Sequence, residues 1–388
     1  MAQIQPIRII PFDIGYEINN DHLKEIKEFL CNLECKNVDI KEDSRAFSNE
    51  PVISCKITDS LLLILYSDGI GEFVYKDNII KYEDLDSIDV NQILRERRAT
   101  HNQITSHTHD ISPTITEYLS MLRNCVIETK RRFTSLENWE YGGLSYIMSF
   151  YLFDCKFTPE STNIINNLYN LLYTDNFNSL DGMTKNIKQQ HIDEVLISID
   201  TLSSTHVIAS WANFIAFGCS TDSISEEFIN FQIITQHIWM YVYITDKNVD
   251  NMFHLVMGKN VRTKHLDNLH KNILSMKLKV SELGGITTST MHERDFRILS
   301  ALKSTSKIDT MISVIEQKYD LLESRMNWII DEKRFKSNRK VEVFLFISTL
   351  IATLAILKDF TVSDLQKYWY FFLCSIVLTY FLFFHKQR

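Results

Sequence analysis

Beyond Gly285 this 388-residue chain contains neither glycine nor proline, and all five prolines lie at or before Pro159. A stretch without helix breakers is expected to form long, uninterrupted helix. From Met291 to Leu357 the apolar positions Ile298, Leu302, Thr305, Ile312, Ile315, Tyr319, Leu322, Met326 and Ile329 recur at spacings of three, four and seven. That seam has one polar gap at Asp309 and predicts a continuous stalk helix on the order of 100 Å long.

Two uncharged stretches follow, Val343–Leu357 (VFLFISTLIATLAIL) and Tyr368–Phe384 (YWYFFLCSIVLTYFLFF). Each is slightly short of the roughly 20 residues that a bilayer-crossing helix needs. Neighbouring helices, local thinning and the aromatic flank Tyr368, Trp369 and Tyr370 favour two transmembrane helices over a buried hairpin. Charge is divided along the same line. Residues 333–388 carry a net +6, against −8 for the whole chain, so the remainder holds −14. An acidic body excludes a generic nucleic-acid-backbone partner, and no direct nucleic-acid binding is expected. Lys333, Arg334, Lys336, Arg339 and Lys340 before the first stretch, with Lys386 and Arg388 after the second, place both flanks in the cytoplasm. Residues 1–25 show no signal-peptide pattern. The expected location is the inner (plasma) membrane, multi-pass, with both termini cytoplasmic. The seven cysteines include no CxxC, in keeping with a reducing compartment.

One face of the long helix carries Asn338, Glu342, Thr349 and Thr353. A polar stripe entering an apolar phase costs free energy unless it meets water or another polar group. These four residues are therefore candidate pore-lining positions. Two helices per chain cannot enclose a water path alone, so a pore requires a homo-oligomer.

The remainder reads as an α+β assembly. Leu61–Tyr66 and Ile70–Tyr75, joined by Ser67-Asp68-Gly69, predict a hairpin, and Asp21–Leu33 an amphipathic helix capped by Asn20 or Asp21. Helical periodicity is expected near 115–133, 139–153, 162–173, 186–217, 224–244 and 250–280. The expected division is an N-terminal α/β lobe (1–114), a helical lobe (115–285), a stalk (286–340) and a two-helix membrane domain (341–388). No GxxxxGK[ST], GxGxxG, HExxH or GxSxG occurs, so no enzyme is expected. His101, His107, His109 and Asp110 could form a metal cluster, although a solvated loop explains them better. Lys130, Arg131 and Arg132, with Trp139 near by, are the candidate anion- and base-binding residues: guanidinium forks suit phosphate, and an aromatic ring stacks on adenine. Arg95, Arg97 and Arg98 are a weaker second set, best read as a solvated helix face.

SNRKVEVFLFISTLIATLAIL followed by YWYFFLCSIVLTYFLFFHKQR, beyond an acidic domain and a long stalk, resembles the end of CorA-family proteins. The resemblance covers about the last hundred residues and extends to the rest by architecture only. It implies a homopentamer with the first membrane helix lining the pore. The family's Gly-Met-Asn signature at the outer end of that helix is missing, because the corresponding place reads ILKDFTVSDLQK. That departure resembles the branch associated with type III CRISPR systems. The implied function is a membrane channel opened by a nucleotide second messenger, a conjugate of S-adenosylmethionine and AMP, in antiviral defence. The alternative is a transporter of Mg²⁺ or another divalent cation. Implied partners are the lipid bilayer, further copies of the chain and the small nucleotide.

Overall fold

The computed structural model describes residues 2–18, 20–33, 35–40, 52–83, 87–126, 148–154, 196–198, 206–209, 213–218, 222–257, 263–285 and 293–357, together with Trp369. At its centre lies β1 (Ala2–Asp13), whose period-two pattern buries both faces. Ile10, Phe12 and Ile14 point to one side, Ile7 and Ile9 to the other. The remaining described strands are β2 (Lys36–Ile40), β3 (Ile53–Lys56), β4 (Leu61–Leu65), β5 (Ile70–Lys76), β6 (Ile80–Tyr82), β7 (Met148–Phe153), β8 (Leu196–Ser198), β9 (His206–Ala209) and β10 (Asn213–Phe217). They form one sheet ordered β2-β3-β4-β5-β1-β7-β10-β9-β8, with β6 pairing the start of β1. β1 is antiparallel to β5, with Ile7 opposite Lys76, and to β7, with Ile4 opposite Phe153. β7 and β10 make a parallel pair.

The helices are α1 (Asn20–Asn32), α2 (Val90–Thr105), α3 (Ser112–Val126), α4 (Asp222–Met257), α5 (Thr263–Gly285), α6 (Glu293–Thr305) and α7 (Ile308–Leu357). One sheet face is covered by α1 and α3 through Leu23, Ile26, Leu30, Ile115, Leu119 and Leu122. The other receives Ile229, Phe231 and Ile233 of α4 and Ile298, Leu299 and Leu302 of α6. A third cluster joins α4, α5 and α7, with Val242, Met252, Ile273, Ile315, Tyr319 and Leu322 all buried.

The expected hairpin and the expected helix α1 are present, and the α+β character holds. Within the ranges 139–153 and 186–217, where helical periodicity had been read, the described residues 148–153, 196–198, 206–209 and 213–217 are strand. MSFYLF, HVIA and NFIAF are short runs rich in aromatic and β-branched residues, and such runs are ambiguous between buried strand and buried helix. The expected helix over 162–173 lies outside the described residues. The sheet takes strands from both sides of residue 114.

The stalk is not continuous. Thr305 Oγ1 donates to the Leu302 carbonyl at 3.0 Å, and Lys307 adopts φ +54° between α6 and α7. Hydroxyl side chains that bond back to the helix backbone can end a helix without glycine or proline. The apolar seam on α7 is the face packed on α4 and α5 as far as Met326. Beyond Ile330 most of α7 is exposed, including Phe335, Val341, Val343, Phe344, Leu345, Ile347 and Leu350.

The expected pair of transmembrane helices is corrected: among the described residues no helix is long and apolar enough to cross a membrane. The uncharged end of α7, Val343–Leu357, spans about 22 Å at 1.5 Å per residue, short of a hydrocarbon core of about 30 Å. Arg339, Lys340 and Glu342 immediately precede it. Of the second stretch, Tyr368–Phe384, only Trp369 is among the described residues.

Candidate functional site

The turn joining β4 to β5 needs an unusual backbone, and Gly69 supplies it at φ +81°. A Cβ there would meet the Tyr16 carbonyl oxygen at 2.0 Å. Backbone bonds tie the turn to the segment after β1: the Ile14 amide donates to the Gly69 carbonyl and the Ile18 amide to the Ser67 carbonyl. Asp68 Oδ1 accepts from the Ile70 amide at 3.1 Å, which fixes the side chain and directs Oδ2 toward the helices.

There the Asp68 carboxylate meets two elements distant in sequence. His237 Nε2 of α4 lies 2.9 Å from Oδ2, and Lys279 Nζ of α5 lies 3.8 Å from the same oxygen. His237 is 0% exposed, Lys279 3% and Asp68 6%. Tyr66 stacks on the His237 ring at 3.7 Å with an interplanar angle of 8°. The Lys279 ammonium sits 5.8 Å from the Tyr241 ring centroid. Removing charges from water is costly, and the cost is offset only by close pairing and hydrogen bonds, which this trio provides. The arrangement acts as a latch: one carboxylate on a sheet turn holds two helices.

Glu72 of β5 is buried next to it. Its neighbours on the ladder are Pro11 of β1 and Ile64 of β4. Neither carboxyl oxygen has a hydrogen-bond partner among the described residues, nor does the Tyr66 hydroxyl. Burial pushes the Glu72 carboxyl well above the ordinary carboxylate range. Burial first, then the Glu72 and Asp68 carboxyls, push the Tyr66 hydroxyl up as well. The folded state thus binds the Glu72 proton more tightly than the unfolded chain, where the carboxyl titrates near an ordinary pH of about 4.3. The Glu72 contribution to wild-type stability is therefore greatest below that value. It falls by about 1.4 kcal/mol per pH unit as pH rises toward the folded-state value. Glu72→Gln keeps the shape and does not titrate. Its melting temperature is expected to match wild type near pH 4 and to exceed it by a margin that widens between pH 5 and 7. A constant margin across that range would exclude a protonated Glu72.

A second set of ion pairs carries the connection onward. Lys318 of α7 reaches Asp246 at 2.7 Å and Asp250 at 2.8 Å, both on α4. Lys277 of α5 reaches Asp320 and Glu323 of α7, each at 3.2 Å. Burial pulls both lysines down, but hydrogen bonds and charge from their carboxylate pairs outweigh it and hold them above the ordinary lysine range. Latch and clamp together form a contiguous path from the sheet to the protruding half of α7.

The structure treats the sequence candidates unevenly. Lys130, Arg131, Arg132 and Trp139 lie outside the described residues. Asn338, Glu342 and Thr349 are exposed on α7, Thr353 follows on the same helix, and the Thr349 hydroxyl donates to the Leu345 carbonyl at 2.8 Å. Arg97 is buried rather than solvated, and Arg95 pairs with Asp89, the N-cap of α2, at 3.8 Å. No group of three or more His, Cys, Asp or Glu suited to a metal ion occurs among the described residues. His109 instead packs edge-on against Tyr75 at 5.5 Å, and its Nδ1 accepts from the Ile111 amide. Sequence reading took Asp68 as a turn residue only and passed over His237, Lys279 and Glu72. The available signal was polarity at positions whose periodicity demands burial, Glu72 between Ile70 and Val74 above all.

No protein-family model, no curated protein and no solved structure matches this chain.

Proposed function

We propose that this chain is a ligand-responsive effector whose output is the exposed half of α7. The observation that carries the reading is the continuity of α7. Its first half is clamped to α4 and α5, while its second half projects apolar side chains from Phe335 to Leu350. An apolar surface of that kind marks an interaction with lipid or protein. The basic collar Lys333, Arg334, Lys336, Arg339 and Lys340 next to it favours an anionic bilayer surface, which the apolar end enters without crossing.

The likeness to the CorA family supplies the rest of the proposal. The chain works as a symmetric homo-oligomer, a pentamer by that likeness. The ligand is a nucleotide messenger of the S-adenosylmethionine–AMP kind, bound through Lys130, Arg131 and Arg132. Ligand binding shifts the helices by as much as its affinity differs between the two arrangements. Asn338, Glu342, Thr349 and Thr353 then face one another across the assembly rather than facing lipid. No catalytic step is required.

The test is flotation of the purified chain with vesicles containing phosphatidylserine, with and without the conjugate. Expected is vesicle binding that strengthens at least tenfold with the conjugate and weakens when Phe344 and Leu345 are both changed to Ser. Binding indifferent to both changes would overturn the reading. Loss of the lipid response alone, with conjugate binding intact, would point to assembly between copies as the output.

A further inference from the structure

The outer face of α7 carries an apolar stripe that the core does not use. Over residues 308–335 the exposed large hydrophobics are Val314, Leu321, Trp328 and Phe335, each seven residues after the last. Ile315, Tyr319, Leu322 and Met326, which pack on α4 and α5, lie on the opposite side of the helix. The Arg325 guanidinium, 4.2 Å from the Trp328 ring centroid, fixes that ring on the stripe. A seven-residue step drifts only about 20° per repeat, so such a stripe stays aligned against a second helix wound around the first. It is also one residue wide, since the exposed polar residues Gln317, Ser324 and Asp331 lie between its members. A bilayer surface or a broad groove calls for the wider apolar face of an amphipathic helix.

Charge selects the partner and its direction. Residues 308–323 hold one lysine against four acidic residues, Asp309, Glu316, Asp320 and Glu323, whereas residues 333–340 hold five Lys or Arg and no acid. Two copies of α7 side by side in the same direction place five cations against five. Running oppositely, each acidic half meets the basic half of the other copy, and the helix dipoles oppose as well. The stripe is symmetric under that reversal. About a two-fold axis midway between residues 324 and 325, Val314 falls opposite the partner's Phe335 and Leu321 opposite the partner's Trp328. We propose that, away from a membrane, two copies of this chain pair antiparallel along this stripe. The contact is isologous, so it closes at a dimer. It occupies Phe335 and the basic collar, so this pairing and a lipid contact of α7 exclude one another.

The test on the full-length protein without lipid has two arms: analytical ultracentrifugation for mass, and copper-phenanthroline oxidation with peptide mapping for direction. Expected is a dimer whose dissociation constant rises roughly tenfold at high salt, because opposed charges are then screened. Leu321→Glu should weaken it at least as much while keeping the wild-type melting temperature, since Leu321 is exposed. A mixture of Leu321→Cys and Trp328→Cys chains should form a disulfide between the two introduced thiols. Leu321→Cys alone should form none at that position, because its two copies lie about 10 Å apart along the axis at ~1.5 Å per residue. Linkage of Leu321→Cys to itself would overturn the antiparallel direction, and a monomeric chain would overturn the pairing. A dimer that Leu321→Glu leaves intact would overturn the stripe as its seam. No vesicle or nucleotide enters the measurement, so its failure and a failure of vesicle flotation are told apart.

Discussion

Asp68→Ala is expected to destabilise the fold by about 3–5 kcal/mol, because it removes the carboxylate shared by a buried lysine and a buried histidine. Lys279 is only 3% exposed. The measurement is the midpoint of urea unfolding. A second substitution separates charge from volume: Lys279→Met in the Asp68→Ala background removes the ammonium that faced the carboxylate. It should restore more than half of the loss, since a buried pair exchanged for apolar groups is often close to neutral. A loss below about 1 kcal/mol for Asp68→Ala would show that the trio does not hold the turn to the helices. Absence of recovery in the double variant would put the cost in the turn itself, where Asp68 Oδ1 accepts the Ile70 amide.

Tyr319→Ala should undock α7 at a similar cost, about 3–5 kcal/mol for a large side chain removed from a closed core. Tyr319 is 0% exposed and sits between Lys277 and the Val242–Met252 side of α4. Its hydroxyl has no hydrogen-bond partner among the described residues, and burial pushes it well above the ordinary tyrosine range. Tyr319→Phe should therefore change stability by less than about 1 kcal/mol, or raise it, because an unsatisfied buried hydroxyl is removed. Hydrogen exchange gives the readout. In Tyr319→Ala the first half of α7 should lose protection while β1 and β5 keep theirs, as expected for a helix that opens as a local unit. If Phe proved as damaging as Ala, the hydroxyl would have to be making a contact of its own.

The sequence disclosed those parts of the molecule whose logic is local. The β4–β5 hairpin was legible because LLLILY and IGEFVY flank Ser67-Asp68-Gly69, and α1 because its apolar residues recur at helical spacing after a capping residue. Strands β7 to β10 were not, since each is a short apolar run whose identity is settled by its sheet neighbours. Absence of glycine and proline was a sound guide to helix but a poor guide to continuity. The Thr305 hydroxyl bonds back to the Leu302 carbonyl, and Lys307 takes a left-handed backbone, where the helix is interrupted. The uncharged end of α7 suggested a membrane crossing that its length does not supply. Nothing near His237 in the chain announces its role, as its carboxylate partner lies 169 positions away. Long-range pairing of that kind is set by topology, which periodicity does not encode.

The position of β1 also sets a schedule for synthesis. Its hydrogen bonds on one edge go to β5 and are available early, but those on the other go to β7, which ends at Phe153. At roughly 5–20 residues per second the ribosome takes on the order of 10–30 s to travel from the end of β1 to that strand. Through that interval a strand with the sequence IQPIRIIPF has one side unmatched, and such an edge is a template for pairing with neighbouring nascent chains. Pro6 and Pro11 lie within it, and each removes a backbone donor from that edge or its opposite. One of the two prolines thus guards that edge during the stage of its life when its eventual partner does not yet exist.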